Sequence, residues 1–144
     1  MLYGKKMIQY DKFQKSLKHL ENQYNNFVHI NEELPEITKE AIGESVIQRF
    51  EVCYDCMWKV LKRYLTEELG LPDVPNSPKP VFRLAMENDI LPAPVESFIE
   101  YADARIGTAH DYSGEKEQEA LKIMNRFISD AIKLYQIMNK EAWN

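Results

Sequence analysis

Apolar residues follow a helical spacing along most of the chain. Between residues 10 and 27 they recur every three or four positions, which predicts a first helix from Asp11 to about Phe27. A second, longer helix is predicted from about Thr38 to Leu69, with two adjacent apolar stripes instead of one. Because a surface this wide must be covered by more than one neighbour, we expect the second helix to be in contact on two sides.

Glycine and proline mark where the second helix ends and a short third helix begins. Gly70 is a stop signal, and the four prolines that follow it form a stiff connector. Ser77 and Pro78 match an N-cap followed by proline in the first turn, which predicts a short helix to about Asn88. Residues 89–93 are then predicted to form a turn.

The C-terminal half of the chain predicts two more long helices. Pro94 opens a fourth helix, in which Gly107 is a poor helix former and predicts a local break. A fifth helix is predicted from Glu115 to about Asn139, and no segment alternates between apolar and polar residues as a half-buried strand does. The chain is therefore predicted to be all-α. We expect an up-and-down four-helix bundle with an additional short helix, forming a single domain over residues 1–144.

Composition and charge narrow the classes of function. With 144 residues, 44% of them hydrophobic, the chain is long enough to bury one core. Its formal net charge of −5 provides no overall positive field, so any contact with nucleic acid must be local. No apolar run approaches the roughly 20 residues that span a bilayer, and the N-terminal residues lack the apolar segment of a signal peptide. We therefore expect a cytoplasmic protein that binds neither DNA nor membranes.

The only two cysteines, Cys53 and Cys56, form a C-x-x-C pattern. This spacing occurs in redox pairs and in zinc sites. A thioredoxin-like pair lies at a helix start after a strand, and a structural zinc site needs four ligands, whereas this pair lies within the second predicted helix and has no counterpart. We interpret both as reduced core cysteines, and we expect neither a metal nor a cofactor.

Candidate chemistry lies at the end of the fourth predicted helix, where Arg105, His110 and Tyr112 form the pattern R-x4-H-x-Y. These residue types are common, so the pattern alone also fits a helix end that is held by an arginine–carboxylate pair. In a continuous helix Arg105 and Thr108 would share a face, and His110 would point about 140° away from Arg105. The pattern therefore leaves a structural and a catalytic interpretation open.

The second predicted helix places Glu51 and Asp55 four residues apart on one face. Their apolar neighbours are Ile47, Tyr54 and Trp58. Since buried carboxylates need a cationic partner, Arg105 is the natural candidate. Other cations could serve instead: Arg49, Lys59 and Arg126. Such a pair would equally orient a catalytic arginine and hold two helices together.

Two stretches of the chain together resemble a known family. They are Val46 to Leu65, with Val46-Ile-Gln-Arg-Phe-Glu51 and Trp58-Lys-Val-Leu-Lys-Arg-Tyr-Leu65, and Arg105 to Tyr112. They are similar to the nucleotidyltransferase substrate-binding proteins of the HEPN superfamily, and the likeness extends from about Tyr10 to Asn139. It implies a helical bundle that forms a homodimer and binds a separately encoded minimal nucleotidyltransferase. The wide apolar surface of the second helix also favours a homodimer.

The resemblance also implies roles for single residues. In related toxin–antitoxin pairs the HEPN protein resembles a metal-independent ribonuclease whose R-x4-H residues meet across the dimer, and the nucleotidyltransferase adenylylates the motif tyrosine. Carried over, Arg105 and His110 become the catalytic pair, Tyr112 the modified hydroxyl, and RNA a partner. The supporting residues become Glu51, Asp55 and Trp58.

Two departures from the family pattern leave an alternative function open. Ile106 follows the motif arginine where many members have a polar residue, and Asp55 stands where glutamate is usual. The alternative is a non-catalytic subunit that presents a substrate to the nucleotidyltransferase, and a third interpretation is a purely structural helical dimer. The chain lacks the glycine–serine turn and paired aspartates of a nucleotidyltransferase, so we do not expect it to be the transferase itself.

Overall fold

The computed structural model describes residues 7–111 and 113–144, which form five α-helices, one π-helical turn and no β-strand. The elements are α1 (Asp11–Val28), α2 (Glu36–Arg63), the π-helical turn (Tyr64–Glu68), α3 (Pro78–Glu87), α4 (Val95–Ala109) and α5 (Glu115–Asn139). This confirms the prediction of an all-α protein. Within the same residues, no helix is both long and apolar enough to cross a membrane.

Helix α2 lies at the centre of the bundle and contacts each of the other four α-helices. Its Phe50 ring packs edge-on against Phe127 of α5, and its Tyr54 ring packs against Phe82 of α3. The predicted two-sided burial is confirmed. Neighbours within the chain thus cover most of the apolar surface from which a homodimer was expected, although Val52 remains 53% exposed.

Six buried aromatic rings form a closed ring of contacts that joins four helices. Each packs against the next, with centroids 4.9 to 6.1 Å apart. In order they are Phe50, Tyr54, Phe82, Phe98, Tyr101 and Phe127. Offset and edge-on aromatic pairs add to the free energy gained from burial. This closed aromatic ring of six side chains therefore fixes α4 relative to α2. The Tyr101 hydroxyl also donates a short hydrogen bond to the buried Asp130 carboxylate of α5.

The second helix ends close to the predicted residue, but its last turn is not a regular α-helix. Its last turn, Tyr64–Glu68, is π-helical, with the Leu69 N–H donating to the Tyr64 carbonyl at 3.1 Å. Gly70 then adopts φ +65°, a left-handed conformation that glycine accepts without strain. The glycine therefore ends the helix as predicted, but the final turn is widened by one residue.

The predicted break at Gly107 is wrong, because α4 continues through this residue to Ala109. A Cβ at position 107 would lie 3.4 Å from Lys116 Cδ, so the start of α5 packs close to α4 at this residue. One glycine in a helix costs only about 1 kcal/mol, which packing between two helices offsets. Consequently Arg105 lies on a regular helix, and His110 is its C-cap.

The cysteine prediction holds in part. Cys53 and Cys56 are both free thiols, and Cys53 is fully buried. Cys56 is only partly buried and packs at the margin of the core, so the prediction that it is a core residue is wrong. Since α2 is regular here, a step of three residues turns Cys56 away from the core by about 60° relative to Cys53.

Candidate functional site

Arg105 bridges α4 to two carboxylates of α2. Its Nη1 donates to Glu51 Oε2 at 3.2 Å, while its Nε and Nη2 donate to the two Asp55 oxygens at 3.4 and 3.3 Å. The expectation that Arg105 pairs with this acidic pair is confirmed. The three alternative cations have other partners in the described residues: Arg49 contacts His19, Lys59 lies over the Trp58 ring, and Arg126 pairs with Glu100.

Thr108 belongs to the same network and was not among the predicted site residues. Its Oγ1 donates to Glu51 Oε2 at 2.7 Å, so Glu51 accepts from both Thr108 and Arg105. Arg105 and Thr108 are three residues apart, which places both on one face of a continuous helix. This spacing was the sequence signal that could have identified Thr108 as a site residue. The expected break at Gly107 weakened that signal.

The guanidinium of Arg105 is oriented without being enclosed. Desolvation acts to lower its pKa, but the Asp55 and Glu51 carboxylates together raise it above the usual arginine value. The side chain is 28% exposed. A guanidinium has five N–H groups, of which three make the bonds to Glu51 and Asp55. The other two, one each on Nη1 and Nη2, have no partner in the described residues and can bind an external acceptor.

A cavity of about 480 Å³ adjoins Arg105. Its walls come from the middle of α2, the first turn of α3 and the last turns of α4. Asp55 and Trp58 line it on one side, and Ile106 and His110 line it on the other. His110 is exposed and makes no side-chain hydrogen bond with residues 7–111 and 113–144. The cavity thus brings a fixed cation and a free imidazole to one surface.

Asp111 ties the end of α4 to the start of α5. Its Oδ1 accepts from the Gly114 N–H and its Oδ2 from the Glu117 N–H, both at 2.9 Å. Desolvation acts to raise the pKa of Asp111, but hydrogen bonds from backbone N–H groups outweigh it and the pKa is lowered. The carboxylate therefore acts as a cap for α5, whose own N-cap is Gly114 at φ +83°. Tyr112 lies outside the described residues.

We expect Asp111→Ala to lower the melting temperature at pH 7 and to lose this effect in acid. A lowered pKa in the folded state means that Asp111 stabilises the fold fully above its unfolded pKa of about 3.9. That stabilisation is lost as the pH falls through the folded-state pKa. Melting curves of the variant and wild type from pH 7 to pH 2 test this. The exposed Asp73→Asn is the control, and equal melting temperatures for Asp111→Ala and wild type at pH 7 would contradict the capping role.

The chain is similar to known proteins over nearly its whole length. Residues 8–140 match the family model described as nucleotidyltransferase substrate binding protein like. The chain belongs to this family. Two segments that are far apart in this chain's sequence meet at one site: one on α2, with Glu51, Asp55 and Trp58, and one at the end of α4, with Arg105 and His110.

Two solved structures share the fold of this family member. A protein from Thermus thermophilus is 26% identical, with a TM-score of 0.68 over 89% of this chain and 97% of that one. A Haemophilus influenzae protein is 22% identical, with a TM-score of 0.74 over 90% and 98%, and is described as showing the fold of a substrate-binding domain of a nucleotidyltransferase. At that identity the second likeness concerns the fold alone. A comparison with curated proteins finds no match.

Proposed function

We propose that this protein is the cytoplasmic, HEPN-type partner of a separately encoded minimal nucleotidyltransferase, and that it acts as a metal-independent ribonuclease through Arg105 and His110. One observation carries the proposal. Arg105 is held by Glu51 and Asp55 with two N–H groups still available, and it lines the same cavity as the exposed His110. The family match supports the partnership with a nucleotidyltransferase.

The proposed reaction is cleavage of RNA by its own 2′-hydroxyl. A neutral imidazole accepts the 2′-hydroxyl proton, and the 2′-oxygen attacks the adjacent phosphorus. The P–O5′ bond breaks to leave a 2′,3′-cyclic phosphate, and the departing 5′-oxygen takes a proton from a protonated imidazole. The Arg105 guanidinium binds the non-bridging oxygens, on which negative charge accumulates. Two proton-transfer groups and a cation are therefore required.

A homodimer is the expected active form, because one chain supplies a single motif histidine for two proton-transfer roles. In a dimer the two Arg105–His110 pairs face each other and provide both roles. We expect sedimentation or light scattering at micromolar concentration to give twice the chain mass of 16.9 kDa. A species of one chain mass throughout that range would contradict the composite site.

We also expect the partner nucleotidyltransferase to add AMP to Tyr112 when ATP and magnesium are supplied. Tyr112 follows His110 by two residues, and because an unperturbed phenol has a pKa of about 10, the partner enzyme must deprotonate it. The phenolate oxygen then attacks the α-phosphorus of ATP, and pyrophosphate leaves. The added phosphate places a negative charge near Arg105, so cleavage of RNA is expected to fall.

Intact-mass spectrometry after incubation with the partner measures this modification. Tyr112→Phe should remain unmodified, whereas Tyr24→Phe, on the first helix, should be modified like wild type. Undiminished addition on Tyr112→Phe, or none on wild type, would contradict the assignment.

A second candidate function has one specific observation in its favour. Two carboxylates surround the single guanidinium, and Ile106 beside it is 55% exposed, so the site is less cationic and more apolar than phosphate alone requires. A non-catalytic subunit that presents a substrate to the nucleotidyltransferase could have such a site. If the wild-type dimer forms the complex but cleaves no RNA, this second function is the correct one.

A further inference from the structure

A groove of about 260 Å³ runs between α1 and α2, on the side of α2 that adjoins the cavity of Arg105. Val52 and Cys56 line it, and each directly follows one of the carboxylates, Glu51 and Asp55, that hold Arg105. Since consecutive residues of an α-helix point about 100° apart, the groove and the cavity use the same turns of α2. They share no lining residue. The walls of this α1–α2 groove are Lys12, Lys15, Ser16 and His19 of α1 and Arg49 of α2.

The walls of the α1–α2 groove are cationic and lack carboxylate partners. None of Lys12, Lys15 and Arg49 forms a salt bridge within the part of the chain that the structure describes. Arg49 instead donates from Nη1 to His19 Nδ1 at 3.3 Å, so its charge is not neutralised. No acidic side chain of the described residues lines the groove, although the chain has a net charge of −5. Such a local positive surface attracts an anionic partner.

An exposed apolar side chain lies within this cationic surface. Val52 is 53% exposed, and Cys56, one turn later on the same face of α2, adds a partly buried thiol. RNA gains little from a valine and a thiol, and among residues 7–111 and 113–144 no aromatic side chain lines the groove to stack on a base. The lining therefore favours a protein segment that has both apolar and acidic side chains.

The shape of the groove suits a short stretch of helix. Lys12 and His19, at the two ends of the α1 wall, are about 10 Å apart along the helix axis, which is the length of two helical turns. A helix that binds in a groove contacts it through apolar residues three or four positions apart. With this stripe on Val52 and Cys56, one flank of the helix faces Lys12 and the other faces Arg49. Acidic residues on both flanks complement these walls.

We infer that the α1–α2 groove is the docking surface for the partner nucleotidyltransferase, which contributes a helix with acidic side chains on both sides of an apolar stripe. That the partner is the nucleotidyltransferase rests on the proposed function. A second copy of this chain fits poorly, because a two-fold axis through the groove would place Lys12, Lys15 and Arg49 against their own copies. A helix bound here does not occupy the cavity that Arg105 and His110 line.

Charge reversal on either wall tests the electrostatic part of the docking. We expect Lys15→Glu and Arg49→Glu each to lower the affinity for the purified nucleotidyltransferase at least about tenfold, because each replaces an attraction with a repulsion. The difference from wild type should shrink as salt is raised from about 50 to about 500 mM. Lys133→Glu makes the same change at an exposed lysine of α5 outside the groove and should bind like wild type. Titration calorimetry measures these affinities.

Val52→Asp tests the apolar part of the groove. It should also weaken the complex at least about tenfold, because it places a carboxylate against the apolar stripe of the bound helix. Val28→Asp, at a similarly exposed valine in the last turn of α1, should have no effect. Val52 is exposed, so the melting temperature of the variant should equal that of wild type. If Val52→Asp converts the free dimer into a monomer, the groove is an interface between copies of this chain and the docking surface is overturned.

Cys56 reports directly whether the groove is occupied. The chain has two cysteines, and Cys53 is fully buried, so N-ethylmaleimide should label Cys56 alone. Intact-mass spectrometry of this chain measures the rate of labelling. In a complex saturated with the nucleotidyltransferase the rate should fall severalfold, because the bound helix covers the thiol. An unchanged rate would overturn the docking surface.

The docking surface and the partnership can fail separately. If Lys15→Glu, Arg49→Glu and Val52→Asp bind the nucleotidyltransferase as tightly as wild type, the docking surface is overturned and the partnership stands. If the wild-type protein forms no complex, both are overturned. Charge reversals that weaken binding of a short oligouridylate, but not of the nucleotidyltransferase, would assign the groove to RNA and overturn the docking surface.

Discussion

Replacement of His110 by alanine is expected to reduce RNA cleavage by the dimer at least about 100-fold, the range in which general acid–base groups contribute. The melting temperature should be unchanged, because the exposed imidazole makes no side-chain hydrogen bond with the described residues and the backbone cap at this position is kept. Initial rates on single-stranded RNA, together with melting curves of the same samples, measure both quantities.

The chain offers a close control for this variant in His29. It is also an exposed histidine at the C-cap of a helix, at the end of α1, and it lines no part of the cavity. His29→Ala should therefore cleave RNA at the wild-type rate. If His110→Ala retains full activity, His110 has no part in the chemistry. If it loses helical content, the residue is structural.

Asp55→Ala has the second large expected effect, a decrease of roughly 100-fold in the cleavage rate. Asp55 accepts two of the three hydrogen bonds that orient Arg105, so without it the guanidinium keeps its charge but loses its fixed direction. Both side chains are partly exposed, and the loss of folding free energy should stay below about 1 kcal/mol. Asp55→Glu, which keeps the carboxylate, should restore most of the rate.

Asp55→Ala separates the orientation of Arg105 from the stability of the fold better than Arg105→Ala does. The latter would leave Glu51 and Asp55 side by side without their cation. Glu100→Ala is a matched control, because it removes another ion pair of α4, with Arg126, on the side that faces α5. We expect it to leave the rate unchanged. A rate for Asp55→Ala equal to that of Glu100→Ala would show that the carboxylate does not orient the catalytic arginine.

The helices were largely predictable because their apolar spacing is regular and glycine and proline mark their ends. The predictions that were wrong concern residues whose structure depends on contacts between helices. The helix continues through Gly107, where Lys116 of α5 lies close by, and a single sequence does not show which neighbour will be there. Likewise Cys56 shares a helix with Cys53, but it lines an open groove between α1 and α2.

Site residues could be predicted from the sequence where a charged group needs a partner of opposite charge. They could not be predicted where only the packing of helices brings residues together. Two carboxylates on an otherwise apolar helix face required a cation, and this led from Glu51 and Asp55 to Arg105. No such demand pointed to Pro78 and Pro80, whose place beside Arg105 is set by the connector and by the packing of α3. The cavity therefore could not be predicted from the sequence alone.

The closed aromatic ring has a consequence for how this protein can diversify. Its members join α2, α3, α4 and α5 beneath the cavity, and all are buried. The side chains that would meet a ligand, Trp58, Ile106 and His110, stand at least partly in solvent outside it. Substitution of any one of them should therefore cost little stability and leave the distance between α2 and α4 unchanged. The ligand that this surface recognises can then be changed while Arg105 keeps its place.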